Sequence, residues 1–281
     1  MPIYDQNYRP WKGRLMPYPR AWWVIAKTHI RLRWKRGVIA LLIFAAFPFL
    51  MKALQILAMA RLDDYDFLNQ FARDLEIDAG FFRDFLLGQS FWFILMIILT
   101  GAGLIANDHK YKANQLYFSK PVTYWDYMAG KFLTVGFYGG TITLAPALLL
   151  FGMKLVLAEN SEFIKSFFWV PFSILGFGLI ALLIFGTLML VLSALVSARS
   201  AGIFFFAILI FPDIIRAILS GVPEIGLISI GANVKQVGAV LFGLSAPYHY
   251  SAWLAGGALL VIFVLCLAIL RWRIRPSEVV T

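Results

Sequence analysis

Six long apolar runs constrain this chain more than any other feature of its sequence. Each has about 19 residues or more, which at 1.5 Å per residue can cross roughly 30 Å of hydrocarbon. They cover residues 38–60, 85–106, 132–158, 169–196, 201–219 and 252–270. Because unpaired backbone groups are costly in lipid, runs of this kind predict helices. We therefore expect an all-α polytopic membrane protein with six transmembrane helices forming one domain, residues 38–281.

The composition favours a membrane protein over a soluble one. The 281 residues are 61% hydrophobic and 14% charged, whereas soluble domains are about 45–50% apolar and about 25% charged. The net charge of +10 could indicate a nucleic-acid partner, but the basic residues flank the apolar runs. Membrane lipids with anionic headgroups are therefore the expected partner, and nucleic acid is not.

Lysine and arginine are distributed unequally between the two sides of the predicted membrane domain. With the amino terminus inside, the cytoplasmic pieces hold 17 of them and the opposite pieces hold six. This asymmetry predicts that both termini are cytoplasmic. Residues 221–247 are apolar enough to suggest a seventh span, but that span would place the basic carboxyl-terminal segment outside. We expect one or two short re-entrant helices there instead.

The first 37 residues form a basic, aromatic cytoplasmic segment without the short apolar core of a signal peptide. Residues 19–36 are typical of an amphipathic helix that lies in the membrane interface. Its apolar flank is predicted to contain Trp22, Trp23, Ile25, Ala26, Ile30 and Trp34. Lys27, Arg31 and Lys35 are expected to face water.

The link between spans 2 and 3, residues 107–131, is polar, basic and aromatic. A helix over residues 107–118 would expose Asp108, Lys110 and Lys112 and leave Tyr117 to pack. Pro121 would end that helix, because the residue before a proline resists the helical conformation. Thr123 is the expected N-cap of a second helix, with Asp126 three residues on. The residues alone leave open a solvated loop and a helix on which a partner docks.

Residues 106–131 resemble the corresponding link of ABC-2-type permeases, the type V exporters. The matching residues are Asp108, Ser119, Lys120, Pro121, Val122, Tyr124, Tyr127, Gly130 and Lys131. The resemblance implies a coupling helix that docks on a separate ATPase subunit. It implies two ATPase subunits per transporter and a second permease subunit, identical or different. The residues it assigns to docking are Asp108, His109, Lys110, Lys112, Tyr117, Lys120, Pro121 and Asp126.

This chain has no phosphate-binding motif of the form GxxxxGK[ST], so ATP and Mg²⁺ are expected on the partner, and no cofactor on this chain. The histidines have no metal-binding spacing, and the spans lack a catalytic constellation, so we expect neither a metal site nor catalytic residues. Asp213 and Arg216 lie at i and i+3 in span 5 and can pair. A structural ion pair and a role in a transport pathway both remain open for them.

With this resemblance, the chain is expected to be the permease subunit of an ATP-driven transporter in a bacterial inner membrane, and the resemblance implies export as the direction. The alternatives are a non-transporting anchor or assembly subunit of an ABC-like complex, and an integral membrane transferase. No residue identifies the cargo, although the apolar spans favour a lipid-like or amphipathic molecule.

Overall fold

Each of the six predicted spans is helical in the computed structural model, which describes residues 20–62, 77–113, 117, 122–157, 161–219 and 221–274. All regular structure in these residues is helical, and six helices are long and apolar enough to cross a membrane. We number them spans 1 to 6. Their bounds are Arg36–Ala60, Ser90–Lys110, Tyr124–Leu157, Lys165–Leu195, Ala198–Ile218 and Ala252–Arg273.

Some of the spans consist of more than one helix. Span 2 is helical over Ser90–Gly101, turns at residues 102–105, and resumes as the short helix Ala106–Lys110. Span 3 is divided at Thr143 into the helices Tyr124–Ile142 and Leu144–Leu157. The main helix of span 4 is Val170–Leu195, and span 1 continues to Leu62. A shorter helix, Ala79–Gly88, precedes span 2, and another, Ser161–Phe167, overlaps the start of span 4.

Span 3 begins eight residues earlier than the predicted residue 132. Thr123 and Asp126 form the expected capping box, with the Asp126 N–H donating to Thr123 Oγ1 at 3.1 Å and the Thr123 N–H to Asp126 Oδ2 at 3.2 Å. The helix started by this cap continues without interruption into the apolar run. The prediction of the cap was therefore correct, and the prediction of a separate helix before span 3 was wrong.

Span 4 lies at the centre of the bundle. In its most apolar stretch 72% of residues are buried, compared with 17% in spans 1 and 5. Span 4 packs against spans 2, 3, 5 and 6, while span 1 packs against spans 2 and 3. The large apolar side chains that remain exposed on spans 1, 5 and 6 suit contact with lipid tails.

The N-terminal helix, Ala21–Arg33, packs against the start of span 3. Ile25 and Ala26 are buried there, as predicted for the apolar flank. The tryptophans of the flank are exposed instead: Trp22, Trp23 and Trp34 are 36%, 48% and 54% exposed. Lys27 and Arg31 are also exposed. Burial against span 3 is thus confined to one narrow side of the helix, and its position in the membrane interface remains a prediction.

Residues 221–247 contain two short helices, a 3₁₀ helix over Pro223–Ile228 and an α-helix over Ile230–Leu241. The buried side chain of Gln236 holds the following loop, since its Nε2 donates to the carbonyl oxygens of Tyr248 and Tyr250. Its Oε1 accepts from the Tyr248 N–H at 3.1 Å. The predicted helices are therefore present, whereas their re-entry into a membrane remains a prediction.

Gly130 is expected to be essential for docking of the N-terminal helix. A Cβ at Gly130 would lie 2.7 Å from Ile25 Cγ2 and 2.9 Å from the carbonyl oxygen of Trp22, whereas a Cβ at Gly136 in the same helix would meet nothing within 4 Å. Gly130→Ala should loosen the N-terminal helix and accelerate amide hydrogen exchange over Ala21–Arg33. Gly136→Ala is the matched control, and equal exchange in the two variants would contradict this packing.

Candidate functional site

The turn that interrupts span 2 leaves backbone N–H and C=O groups without helical partners, and a side chain of span 4 binds them. The hydroxyl oxygen of Ser193 accepts from the N–H of Ile105 at 3.0 Å and of Ala106 at 3.1 Å. The same hydroxyl donates to the carbonyl oxygen of Ala102 at 2.8 Å. Irregular backbone within a membrane domain requires such protein partners, because lipid offers none. Ser193 therefore stabilises the break in span 2.

Lys131 extends its ammonium group into the same break. Its side chain is fully buried. Nζ forms an ion pair with Oδ2 of Asp108, lies 2.7 Å from Nε2 of His29, and donates to the carbonyl oxygen of Leu104 at 2.9 Å. An ammonium has three N–H donors and no acceptor. All three donors thus have partners, which is the condition under which a buried charge can be tolerated.

His29 is a neutral acceptor in this arrangement. Because the ammonium of Lys131 can only donate, Nε2 of His29 must accept, and we assign the ring proton to Nδ1. Burial, followed by the positive charge of Lys131, lowers the pKa of His29 from 6.5 to about 4. The imidazole is therefore uncharged at neutral pH and does not repel the ammonium.

Two tyrosines complete the group. The hydroxyl of Tyr127 donates to Oδ2 of Asp108 at 2.8 Å. The ring of Tyr117 lies 5.4 Å from that of Tyr127, and its hydroxyl lies 3.3 Å from Nε2 of His29. We call His29, Asp108, Tyr117, Tyr127 and Lys131 the buried cluster. It joins the N-terminal helix, the end of span 2, the link and the start of span 3.

The expected exposure of Asp108 is wrong. Asp108 is 8% exposed, because its carboxylate accepts from both Lys131 and Tyr127. The single helix expected over residues 107–118 is also wrong, since the helix ends at Lys110 and Lys112 has a φ of 55°. That left-handed conformation is unfavourable for a helix of L-residues. Asp108 therefore holds the link from inside and does not belong to an exposed docking face.

The other predicted docking residues fall into three groups. His109, Lys110 and Lys112 are exposed, together with Tyr111, which is 70% exposed. We call residues 109–112 the link surface. Tyr117 packs inward, as expected, and Asp126 is committed to its capping box. Lys120 and Pro121 lie outside the described residues.

The predicted ion pair in span 5 is present. Arg216 Nε lies 3.4 Å from Asp213 Oδ1, and the Ser229 hydroxyl donates to the same oxygen at 2.6 Å. The Arg216 guanidinium also lies 5.1 Å from the centre of the Tyr248 ring. The pair therefore connects span 5 to the two short helices that follow it. Within the part of the chain that the structure describes, no group of three or more His, Cys, Asp or Glu side chains is placed to hold a metal ion.

Sequence reasoning missed the partners of Lys131, although two signals for them were available. Lys131 directly precedes the predicted start of span 3, where a charge close to lipid needs a counter-charge, and Asp108 is an acid near the end of the neighbouring span. His29 lies three and four residues after Ala26 and Ile25, on the side of the N-terminal helix that is buried. Ser193 gave no such signal, because its role depends on a break in another span.

No protein-family model matches this chain, and no curated protein matches it.

Removing the ammonium of Lys131 should destabilise the protein strongly. Lys131→Met would leave the Asp108 carboxylate buried without its counter-charge, which costs about 3–5 kcal/mol. Lys110→Met, at an exposed lysine one helical turn from the break, should change the free energy of unfolding by less than about 0.5 kcal/mol. Denaturant unfolding in mild detergent measures both.

The double variant Asp108→Leu/Lys131→Met separates the ion pair from the other contacts of Lys131. It removes both charges together, so it should be less destabilised than Lys131→Met alone by about 0.5–3 kcal/mol. If Lys131→Met proves no less stable than Lys110→Met, the buried cluster does not support the fold.

The stability of the link region should fall as the pH falls from about 6.5 to about 4. Over that range His29 binds a proton in the unfolded chain but not in the folded one, because its folded pKa is about 4. Its contribution is complete above pH 6.5 and decreases by at most about 1.4 kcal/mol per pH unit below it. His29→Gln keeps an acceptor for Lys131 but cannot titrate. The wild-type unfolding free energy should therefore depend more steeply on pH than that of the variant, and parallel profiles would contradict the assignment.

Proposed function

We propose that this chain is the permease subunit of an ATP-driven transporter, and that a separate ATPase subunit docks on the link surface. The proposal rests on the way that surface is attached to the buried cluster and, through it, to spans 2 and 3. Residues 109–112 are exposed, basic and aromatic, and directly before them Asp108 is held in the buried cluster. A partner bound at the link surface would therefore act on spans 2 and 3 and on the N-terminal helix together.

The break in span 2 extends this attachment to the centre of the bundle. Lys131 and Ser193 both bind backbone groups of residues 102–106, from spans 3 and 4 respectively. Span 4 in turn packs against spans 2, 3, 5 and 6. A displacement of the link and of the break in span 2 is thus opposed by directional bonds to spans 3 and 4, so these two spans would move with it. This is the mechanical property that coupling to ATP binding requires.

The cytoplasmic side is proposed to be the end of the bundle that carries the link. The basic residues of span 6 support this, since Arg273 Nε donates to the carbonyl oxygen of Ala194 at 3.4 Å and the Arg271 guanidinium lies 5.7 Å from the Tyr124 ring. Span 6 therefore ends beside the start of span 3, and its basic residues add to the positive charge expected inside. Both termini are then cytoplasmic, in a bacterial inner membrane.

The complete transporter would contain a second permease subunit, either another copy or a different chain, and two ATPase subunits that bind ATP and Mg²⁺. Export is the proposed direction. The re-entrant arrangement of residues 221–247 belongs to the same proposal. This arrangement is supported by Gln236, whose buried amide side chain binds the irregular backbone of the loop at residues 248–250.

Charge reversal on the link surface tests the proposal. The tagged chain is purified from its native membranes in mild detergent, and ATP hydrolysis by the purified assembly is measured. Lys110→Glu/Lys112→Glu should reduce the copurifying ATPase activity more than tenfold, because the docking charges change sign. Lys165→Glu, at an exposed lysine of the other end of the bundle, should leave it unchanged.

Two results would contradict the proposal in different ways. If the wild-type chain copurifies with no ATP-hydrolysing subunit, the chain is not a permease of this kind. If Lys110→Glu/Lys112→Glu retains full ATPase activity, as the control Lys165→Glu should, the ATPase subunit does not dock on the link surface.

A further inference from the structure

A cavity of about 170 Å³ lies at the end of the bundle opposite the link. Spans 2, 3, 4 and 5 line it, together with the helices Ala79–Gly88 and Ile230–Leu241. Its walls are mainly apolar and aromatic, and include Phe93, Ile94, Phe177, Ala181, Phe185 and Leu209. Neither the link surface nor the buried cluster contributes to this cavity.

The cavity extends from the end of the bundle towards its middle. Thr143 lines it and lies about 20 Å from the Leu157 end of span 3, at 1.5 Å per residue. Asp213, which also lines it, lies only about 8 Å from the Ile218 end of span 5. Asp213 therefore lies near the mouth, as does Lys235, whose side chain is exposed, and apart from Thr143 the deeper walls are apolar.

The mouth carries two charged side chains, those of Asp213 and Lys235. The carboxylate of Asp213 is paired with Arg216 and accepts from the Ser229 hydroxyl. Lys235 lines the cavity and is exposed, and the ion pairs among the described residues do not include it. The mouth thus offers a positive charge beside apolar walls, which complements an anion attached to an apolar chain.

The size of the cavity limits what can enter it. An apolar cavity of about 150 Å³ holds a molecule the size of benzene, and drug-sized ligands occupy about 300–1,000 Å³. A volume of about 170 Å³ therefore accommodates the end of a single alkyl chain or one ring. Two acyl chains of a phospholipid do not fit together.

We propose that this cavity binds a single-chain anionic amphiphile, with the end of its chain between Phe93, Phe177 and Phe185 and its anionic head at Lys235. The assignment of this amphiphile as cargo rests on the proposed permease function. The binding itself does not, because the cavity is formed by this chain without an ATPase subunit.

Saturation binding of radiolabelled dodecyl phosphate tests the site in nanodiscs of zwitterionic lipid that contain the purified full chain. Ala181→Phe fills the cavity, and Lys235→Gln removes the positive charge from its mouth. Each should weaken binding about tenfold or more, as expected for loss of the apolar contact or of a charge-assisted hydrogen bond. The matched controls are Leu179→Phe, at an exposed position of the same span, and Lys165→Gln, at an exposed lysine of the same end. Both should bind as the wild type does.

The outcomes separate this inference from its alternatives. Equal binding by all variants would show partition into lipid and would overturn the site. Equal affinity for dodecyltrimethylammonium would overturn the anionic head. If Ala181→Phe fails to fold, Lys235→Gln decides the question, because its side chain is exposed. The binding assay contains no ATPase, so a negative result in it does not bear on the proposed docking. Conversely, if no ATPase copurifies, the binding site remains but its role as a cargo site is removed.

Discussion

The link end of this bundle depends on the buried ammonium of Lys131. Removing such an ion from water costs several kcal/mol, which is recovered only where its donors find good partners. The three partners come from three places: Asp108 at the end of span 2, Leu104 in the break of that span, and His29 in the N-terminal helix. All three are available only when these elements are in one arrangement. The cost of burying the charge thus selects a unique docking of the N-terminal helix and of span 2 on span 3.

The break in span 2 explains why neighbouring link residues have different environments. A continuous helix through residues 102–105 would satisfy its own carbonyl groups and would leave Lys131 without the oxygen of Leu104. The turn exposes backbone groups, Ser193 and Lys131 bind them, and the chain then directs Asp108 inward. Lys110 and Tyr111 consequently reach the surface, although they follow the buried Asp108 by only two and three residues. The exposed link surface and its internal support are therefore contiguous in sequence.

Features that depend on a local stretch of sequence could be predicted, and features that depend on contacts between distant residues could not. Hydropathy is a property of each run, so the six spans followed from it, and the capping box of Thr123 and Asp126 followed from a spacing of three residues. The pairing of Asp213 with Arg216 is local in the same way. The burial of Asp108 was not predictable from its own segment, because its charge is neutralised by a lysine on the next span. The early start of span 3 was missed because the hydropathy of residues 124–131 is not that of a span, although the cap and the helix are continuous.

Span 4 is the element that relates the two ends of the molecule. Its helix Val170–Leu195 is about 39 Å long at 1.5 Å per residue. At one end Ser193 binds the broken backbone of span 2, and towards the other Phe177, Ala181 and Phe185 form a wall of the cavity. A helix buried along most of its length cannot bend freely, because its side chains are close-packed on several sides. Under the proposed function, a movement transmitted from the link through the break would therefore displace the cavity wall as part of one rigid body, and the site for an amphiphile would respond to an ATPase that it never contacts.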